Sequence, residues 1–172
     1  MSSCNRQLFL SHAWRSLTGD DIHCHVVDIS NGLKRMGWTV WLDEESLNGN
    51  IDLSMALGID KCDVVIVCIT SAYASKANFM GDNCNKEFSY ACWRRKRMLP
   101  LVMEPALLDS KKWPAGIVAM NVGLHLYVDG TKSPDTVVRC INGRLTGAFS
   151  LRPRLSRSSR RRSSTTKTII HI

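Results

Sequence analysis

Asp63-Val64-Val65-Ile66-Val67-Cys68-Ile69-Thr70 is the stretch on which the fold turns. Its six central residues are apolar without a break, and all but Cys68 are β-branched. A strand with one wet face would alternate polar and apolar. A continuous run suits a central parallel strand covered on both faces. Cys68 fits there as a small hydrophobe. Upstream, Leu8-Phe9-Leu10 ends at Ser11-His12 and reads as a second buried strand. Between the two lie a polar stretch, Arg15 to Asp20, and a helical stripe from Asp21 to Met36 with Ile22, Val26, Ile29 and Leu33 on one face. Gly37 stops that helix. Thr39 to Leu42 is a further strand, Asp43 to Asn50 a polar loop, and Ile51 to Lys61 a helix with Ile51, Met55 and Ile59 on its apolar side.

Downstream of the run, Ser71 to Gly81 is expected to be a loop. Asp82 is expected to cap a helix from Asn83 to Arg97. Met98 to Met103 reads as a fourth strand, with Pro100 marking an early or irregular start. Glu104 to Asn121, carrying Pro105 and Pro114, is expected to be mostly loop. Leu124 to Val128 reads as a fifth strand, and Pro134 opens a last helix to about Arg144. Strands alternating with helices mean βαβ units. The fold class is therefore α/β: a three-layer flavodoxin-like sandwich around a five-stranded parallel sheet. Ligands of such sheets sit at the carboxyl ends of the strands. That directs attention to Ser11-His12, to the loop after Leu42 and to the loop after Thr70.

The 172 residues allow one domain with a real core. The net charge of +8 is a property of the end of the chain, because Arg144 to Ile172 holds seven Arg, one Lys and no acid. The first 143 residues carry 15 basic and 15 acidic side chains and are formally neutral. Residues 1–6 read as an extension, 7–145 as the domain and 146–172 as a Ser/Arg-rich tail. From Phe149 to Thr168 little can be buried, and disorder is expected. Seven cysteines form no CxxC pair, which argues against a redox motif or zinc knuckle. There is no apolar leader, no span of ~20 apolar residues and no Asn-x-Ser/Thr site. A cytoplasmic protein with free thiols is the expectation.

GxGxxG, GxxxxGK[ST] and GxSxG are all absent. The acidic pair that a receiver domain needs after its first strand is replaced by Ser11 and His12. Three segments stand out together: Leu8-Phe9-Leu10-Ser11-His12-Ala13-Trp14, Val40-Trp41-Leu42-Asp43-Glu44-Glu45-Ser46-Leu47-Asn48-Gly49-Asn50-Ile51, and Asp82-Asn83-Cys84-Asn85-Lys86-Glu87-Phe88. In order and spacing they resemble the TIR (Toll/interleukin-1 receptor) domain family over roughly Gln7 to Leu145. The first is similar to its opening strand, the second to its second strand and BB loop, the third to its Cys-x-x-Glu segment.

The resemblance implies one of two functions. Many TIR domains hydrolyse NAD⁺ with the Glu of the Cys-x-x-Glu segment, which makes Glu87 the catalytic candidate. Others are non-catalytic adaptors acting through TIR–TIR assembly. No resident cofactor is implied, since NAD⁺ enters as substrate. Nicotinamide leaves a cationic ring as a neutral molecule and needs no general acid. One carboxylate beside the ribose can stabilise the oxocarbenium-like charge that develops. Ordinary glycosidases need two carboxylates because an alkoxide leaves. The plainer alternative is a carboxylate near a helix N-terminus, favoured there by ~0.3–1 kcal/mol.

The substrate-binding candidates beside Glu87 are His12, Ala13, Trp14, Arg15, Asp43, Leu47, Gly49, Asn50, Ile51, Asn83 and Cys84. Trp14 either stacks on adenine or nicotinamide or packs on the domain surface. Some NAD⁺-cleaving relatives carry two Arg where this chain has Ala13 and Trp14, with Arg15 one place later, and a Trp where it has Asn83. Tyr73 or Phe79 is the aromatic available to fill that space. The resemblance makes the 43–51 loop the expected gate and homo-oligomer contact, with Gly49 giving it freedom; Leu47 and Ile51 either pack across that contact or pack beneath the loop. Phe88 and Cys92 share a helical face with Cys84 and are expected to face the core. Arg94 to Arg97 read as a solvated, dipole-matched helix end.

The tail arginines, from Arg152 to Arg162, could hold an anionic membrane or nucleic acid, with Ser159, Ser163 and Ser164 as kinase sites. A solvated linker, or the remnant of a longer protein, is the alternative. Deleting the residues after Phe149 is expected to leave the thermal midpoint nearly unchanged. A large drop in melting temperature would show that the tail packs.

Overall fold

The computed structural model describes residues 6–42 and 51–150, with side chains to 147. Five strands form one sheet: β1 (Gln7–Ser11), β2 (Thr39–Trp41), β3 (Val64–Ile69), β4 (Arg97–Val102) and β5 (Val128–Asp129). Their order is β2-β1-β3-β4-β5, and every pairing is parallel. This is the expected α/β architecture. All six residues of β3 are buried, as an unbroken apolar run requires when both faces are covered.

The alternation of side chains sorts the core into two halves. Leu8, Leu10, Val64, Ile66, Cys68, Leu99 and Leu101 point to one face. There they meet α1 (Ile22–Arg35) and α6 (Pro134–Ser150) through Val26, Ile29, Leu33, Val137, Val138 and Ile141. Phe9, Val65, Val67, Ile69 and Val102 point to the other. That face is covered by α2 (Ile51–Lys61), α3 (Ser71–Ala77), α4 (Asn83–Trp93) and α5 (Ile117–Val122). α1 and α6 approach so closely that a Cβ on Gly32 would stand 2.6 Å from Val138 Cγ2.

Several expectations are corrected. Ser71 to Gly81 is not all loop, because Ser71–Ala77 is α3. The Thr70 hydroxyl accepts from the Tyr73 amide at 2.9 Å, and Ala72, Tyr73, Ala74 and Ala77 are buried. An N-cap followed by an alanine-rich turn favours helix. Glu104 to Asn121 likewise contains α5 and two short 3₁₀ turns, 105–107 and 110–112. The fifth strand is only Val128–Asp129. Leu124 and Leu126 are exposed, so the apolar alternation there buries nothing beyond Val128. α6 continues past Arg144 to Ser150. The tail expectations for 151–172 fall outside the described residues.

Pro100 does not disturb β4, where it stands opposite Val67 in an unbroken register. The Val102 carbonyl accepts from Gly130 on the β5 side. Pro100, two residues earlier, faces the same way, and β5 reaches only Leu101 and Val102. Its missing N–H is not called on.

Helix α4 ends at Trp93, not Arg97. Arg95 N–H donates to the Cys92 carbonyl (2.9 Å) and Lys96 N–H to the Ala91 carbonyl (3.0 Å), which is a Schellman closure. α1 closes the same way, with Gly37 N–H to Lys34 and Trp38 N–H to Leu33. The left-handed position is held by Gly37 (φ 87°) in α1 but by Arg95 (φ 51°) in α4. The expected basic helix end is thus divided. Arg94 pairs with Asp60 at 2.7 Å, Lys96 Nζ donates to the Asp60 and Cys62 carbonyls at the end of α2, and Arg97 opens β4.

A non-glycine residue in the left-handed region costs about 1 kcal/mol. Arg95→Gly is therefore expected to stabilise the domain by about 1 kcal/mol, and Gly37→Ala to destabilise it by a similar amount. Urea unfolding midpoints check this. Equal midpoints for Arg95→Gly and the wild type would remove the strain argument.

Candidate functional site

The order β2-β1-β3 places a switch point between β1 and β3, where the chain winds first one way and then the other. Ser11, the last residue of β1, and Thr70, just after β3, stand at its carboxyl edge. Helix α4 delivers Glu87 to the same place. Asp82 caps the helix by accepting from the Cys84 amide at 2.9 Å. Asn83 to Glu87 are then the first five helical residues. Cys84, Phe88 and Ala91 are buried on one face, with Cys92 half-buried beside them, and Glu87 faces inward with them at 5% exposure. It is not a solvated carboxylate of the first turn.

Ser11 Oγ donates to Glu87 Oε2 at 2.5 Å. With its hydrogen so placed, Ser11 accepts from the Tyr73 hydroxyl at 2.7 Å. Tyr73 is fully buried, and burial, with the Glu87 charge, pushes its phenol well above its usual range. Burial and Glu87 raise the Cys84 and Cys68 thiols too. Protonated neighbours therefore surround Glu87, and neither thiol is a ready nucleophile. Neither aromatic weighed for the space beside Asn83 borders the cavity there: Tyr73 is fully buried behind Ser11, and Phe79 is 71% exposed.

On one side of Glu87 lies a cavity of about 330 Å³ lined by His12, Ala13, Trp14, Asn83 and Cys84 among others. These five sequence candidates are thus brought together with Glu87. His12 Nε2 and His23 Nδ1 share a hydrogen bond of 2.7 Å. Trp14 stacks on His23 with ring centroids 4.4 Å apart and stays half exposed. Its carbonyl accepts from the amides of Ile22 and His23, both at 3.0 Å, so α1 fixes the platform. Arg15 lines a neighbouring cavity and donates to the Gly19 carbonyl at 3.1 Å. On the other side of Glu87 a more apolar cavity of about 320 Å³ runs between α2 and α4, bordered by Met55, Ile59 and Tyr90.

Ile51, the first residue of α2, is half exposed and lines neither cavity beside Glu87. Asp43, Leu47, Gly49 and Asn50 lie outside the described residues. Four contributors were missed in the sequence as site residues. Ser11 and Tyr73 orient the carboxylate, and His23 backs Trp14. Lys76 lines the cavity and forms an ion pair with Asp82 at 3.5 Å. The signal for Tyr73 and Lys76 was the Thr70 cap followed by alanines, which marks a helix. No group of three or more potential metal ligands occurs among the described residues.

The raised thiols and phenol give an alkaline signature. Their folded pKa values lie above the unfolded ones, so their contribution is intact below about pH 9, where unfolded thiols begin to ionise. It is lost as pH rises further. The urea midpoint is expected to fall steadily above about pH 9. A midpoint flat to about pH 11 would contradict the burial of these groups.

Comparison with the curated proteins returns no match. Among family models, that of the TIR domain matches residues 8–139, which runs from the second residue of β1 through β5 to the start of α6. With the parallel sheet and a Cys-x-x-Glu turn at its switch point, the chain belongs to the TIR domain family.

Proposed function

We propose that this TIR signalling domain cleaves NAD⁺ at the nicotinamide–ribose bond when it self-associates, releasing nicotinamide and a linear or cyclic ADP-ribose. The observation that carries this is the Glu87 carboxylate, 5% exposed, held by Ser11 and bordering cavities on two sides. The C1′–N bond breaks and its electron pair stays on the departing nicotinamide nitrogen. Positive charge develops on the ribose C1′ and ring oxygen. A fixed carboxylate in a water-poor site stabilises that charge more than it stabilises the ground state. Water, or the adenine of the same molecule, then bonds to C1′. Water gives up a proton to solvent. Ser11 and Tyr73 keep the carboxylate oriented, so little reorganisation accompanies charge development.

Self-association fits the surface of α2. Ile51, Leu53 and Leu57 are all about half exposed, and Leu53 and Leu57 are one helical turn apart. Together with the adjoining 43–50 segment they would form the homotypic contact. The same stripe favours a second reading, an adaptor that recruits another TIR domain without cleaving a bond. The free cysteines among the described residues suit a reducing, cytoplasmic setting for either.

Nicotinamide release by the full chain at high protein concentration tests the proposal. Glu87→Ala is expected to lower release by about 10²-fold or more while sedimentation shows assembly intact. Equal release from the variant and the wild type would remove Glu87 from the chemistry. No release from either, under crowding that promotes assembly, would leave the adaptor.

A further inference from the structure

The cavity beside Glu87 adjoins another of about 410 Å³ bordered by Trp14, Arg15, Leu17 and Lys76. Trp14 and Lys76 are the two residues that line both. They form a ridge with an aromatic platform on one side and an ammonium on the other. The cavity beside Glu87 is otherwise acidic, bordered by Asp82 and Glu87, with Lys76 its one cation among the lining residues. A phosphate brought there meets two carboxylates and needs a positive charge in place first.

Lys76 is placed for that task by its helix. Thr70 caps α3, and burial of Tyr73 and Ala77 fixes its rotation, so Lys76 in the last turn projects toward Asp82. At 3.5 Å, with the Lys76 side chain 52% exposed, the ion pair with Asp82 is loose. Pairs of this kind contribute little to stability, and the ammonium is exchanged between partners at small cost. Arg15 spends one Nη1 hydrogen on Gly19, which leaves further donors on its guanidinium.

Resting on the NAD⁺ reading, we propose that Lys76 is the phosphate ligand of this chain. In this arrangement it straddles the Trp14 ridge with Arg15, holding the diphosphate of a dinucleotide. The nucleoside lies in the 410 Å³ cavity and the reacting ribose in the cavity against Glu87. Lys76 thereby supplies, from α3, the positive charge that the segment Ala13-Trp14 lacks.

Calorimetry on the full chain with ADP-ribose, and separately with adenosine, which lacks the diphosphate, tests this. Lys76→Ala is expected to weaken ADP-ribose binding about tenfold and flatten its salt dependence. Lys76→Glu should weaken it further and Lys76→Arg should preserve it, with adenosine affinity unchanged throughout. In turnover, Lys76→Ala should raise KM for NAD⁺ and leave kcat in place. A melting curve like the wild type's confirms the fold of each variant. ADP-ribose binding that is equal in Lys76→Ala and wild type, or absent in the wild type, overturns the subsite. Lys76-dependent ADP-ribose binding without nicotinamide release overturns the cleavage reading and keeps the subsite.

Discussion

Burial of β3 on both faces is the constraint from which the architecture follows. A strand with no wet face needs a layer of helices on each side, and parallel neighbours are the arrangement that brings them. Each crossover then returns the chain to the same edge of the sheet. The residues that end β1 and β3 meet there without any loop being designed to meet another. Ser11 and Thr70 owe their proximity to this, and α3, capped by Thr70, owes its start to it.

At that edge a single charge is kept under cover. Glu87 is buried among groups that burial holds protonated, with Ser11 bonded to it and Tyr73 behind Ser11. Burying a carboxylate is costly unless hydrogen bonds replace its water shell. A site that tolerates the cost has its electrostatics set before any ligand arrives. The exposed half of Trp14 and the loosely paired Lys76 stand at its rim, where contacts can be exchanged.

The sheet was legible in the sequence because its signal is local. Five apolar runs, Gly37 after a helical stripe and Asp82 before another each report their own element. Glu87 stood out in the sequence for another reason: its segment resembles a family's. The misses share a physical origin. Alanines carry a weak hydrophobic signal, so Ala72 to Ala77 read as loop, and Lys76 and Tyr73 went with it. Leu124 and Leu126 have the alternation of a strand, but pairing with β4 extends to two residues only, which no local pattern records. Arg95 in a left-handed conformation gave no sign, since glycine is what marks such a position elsewhere among the described residues. Ser11 was visible as a strand end, but its bond to a carboxylate 76 positions away is a product of tertiary packing.

Helix α6 starts just past β5 at the carboxyl edge and runs back along the sheet for about 25 Å. Its later residues reach the opposite edge: Asn142 accepts from the Trp38 indole, just before β2, and Arg144 donates to the Leu126 carbonyl, just before β5. Gln7 opens β1 on that edge as well. The domain therefore enters and leaves at one pole while Glu87 and its cavities occupy the other. A dye or surface linkage placed at the Gln7 end of β1 or beside Arg144 on α6 sits a domain's length from the cavities, leaving that pole open to solution.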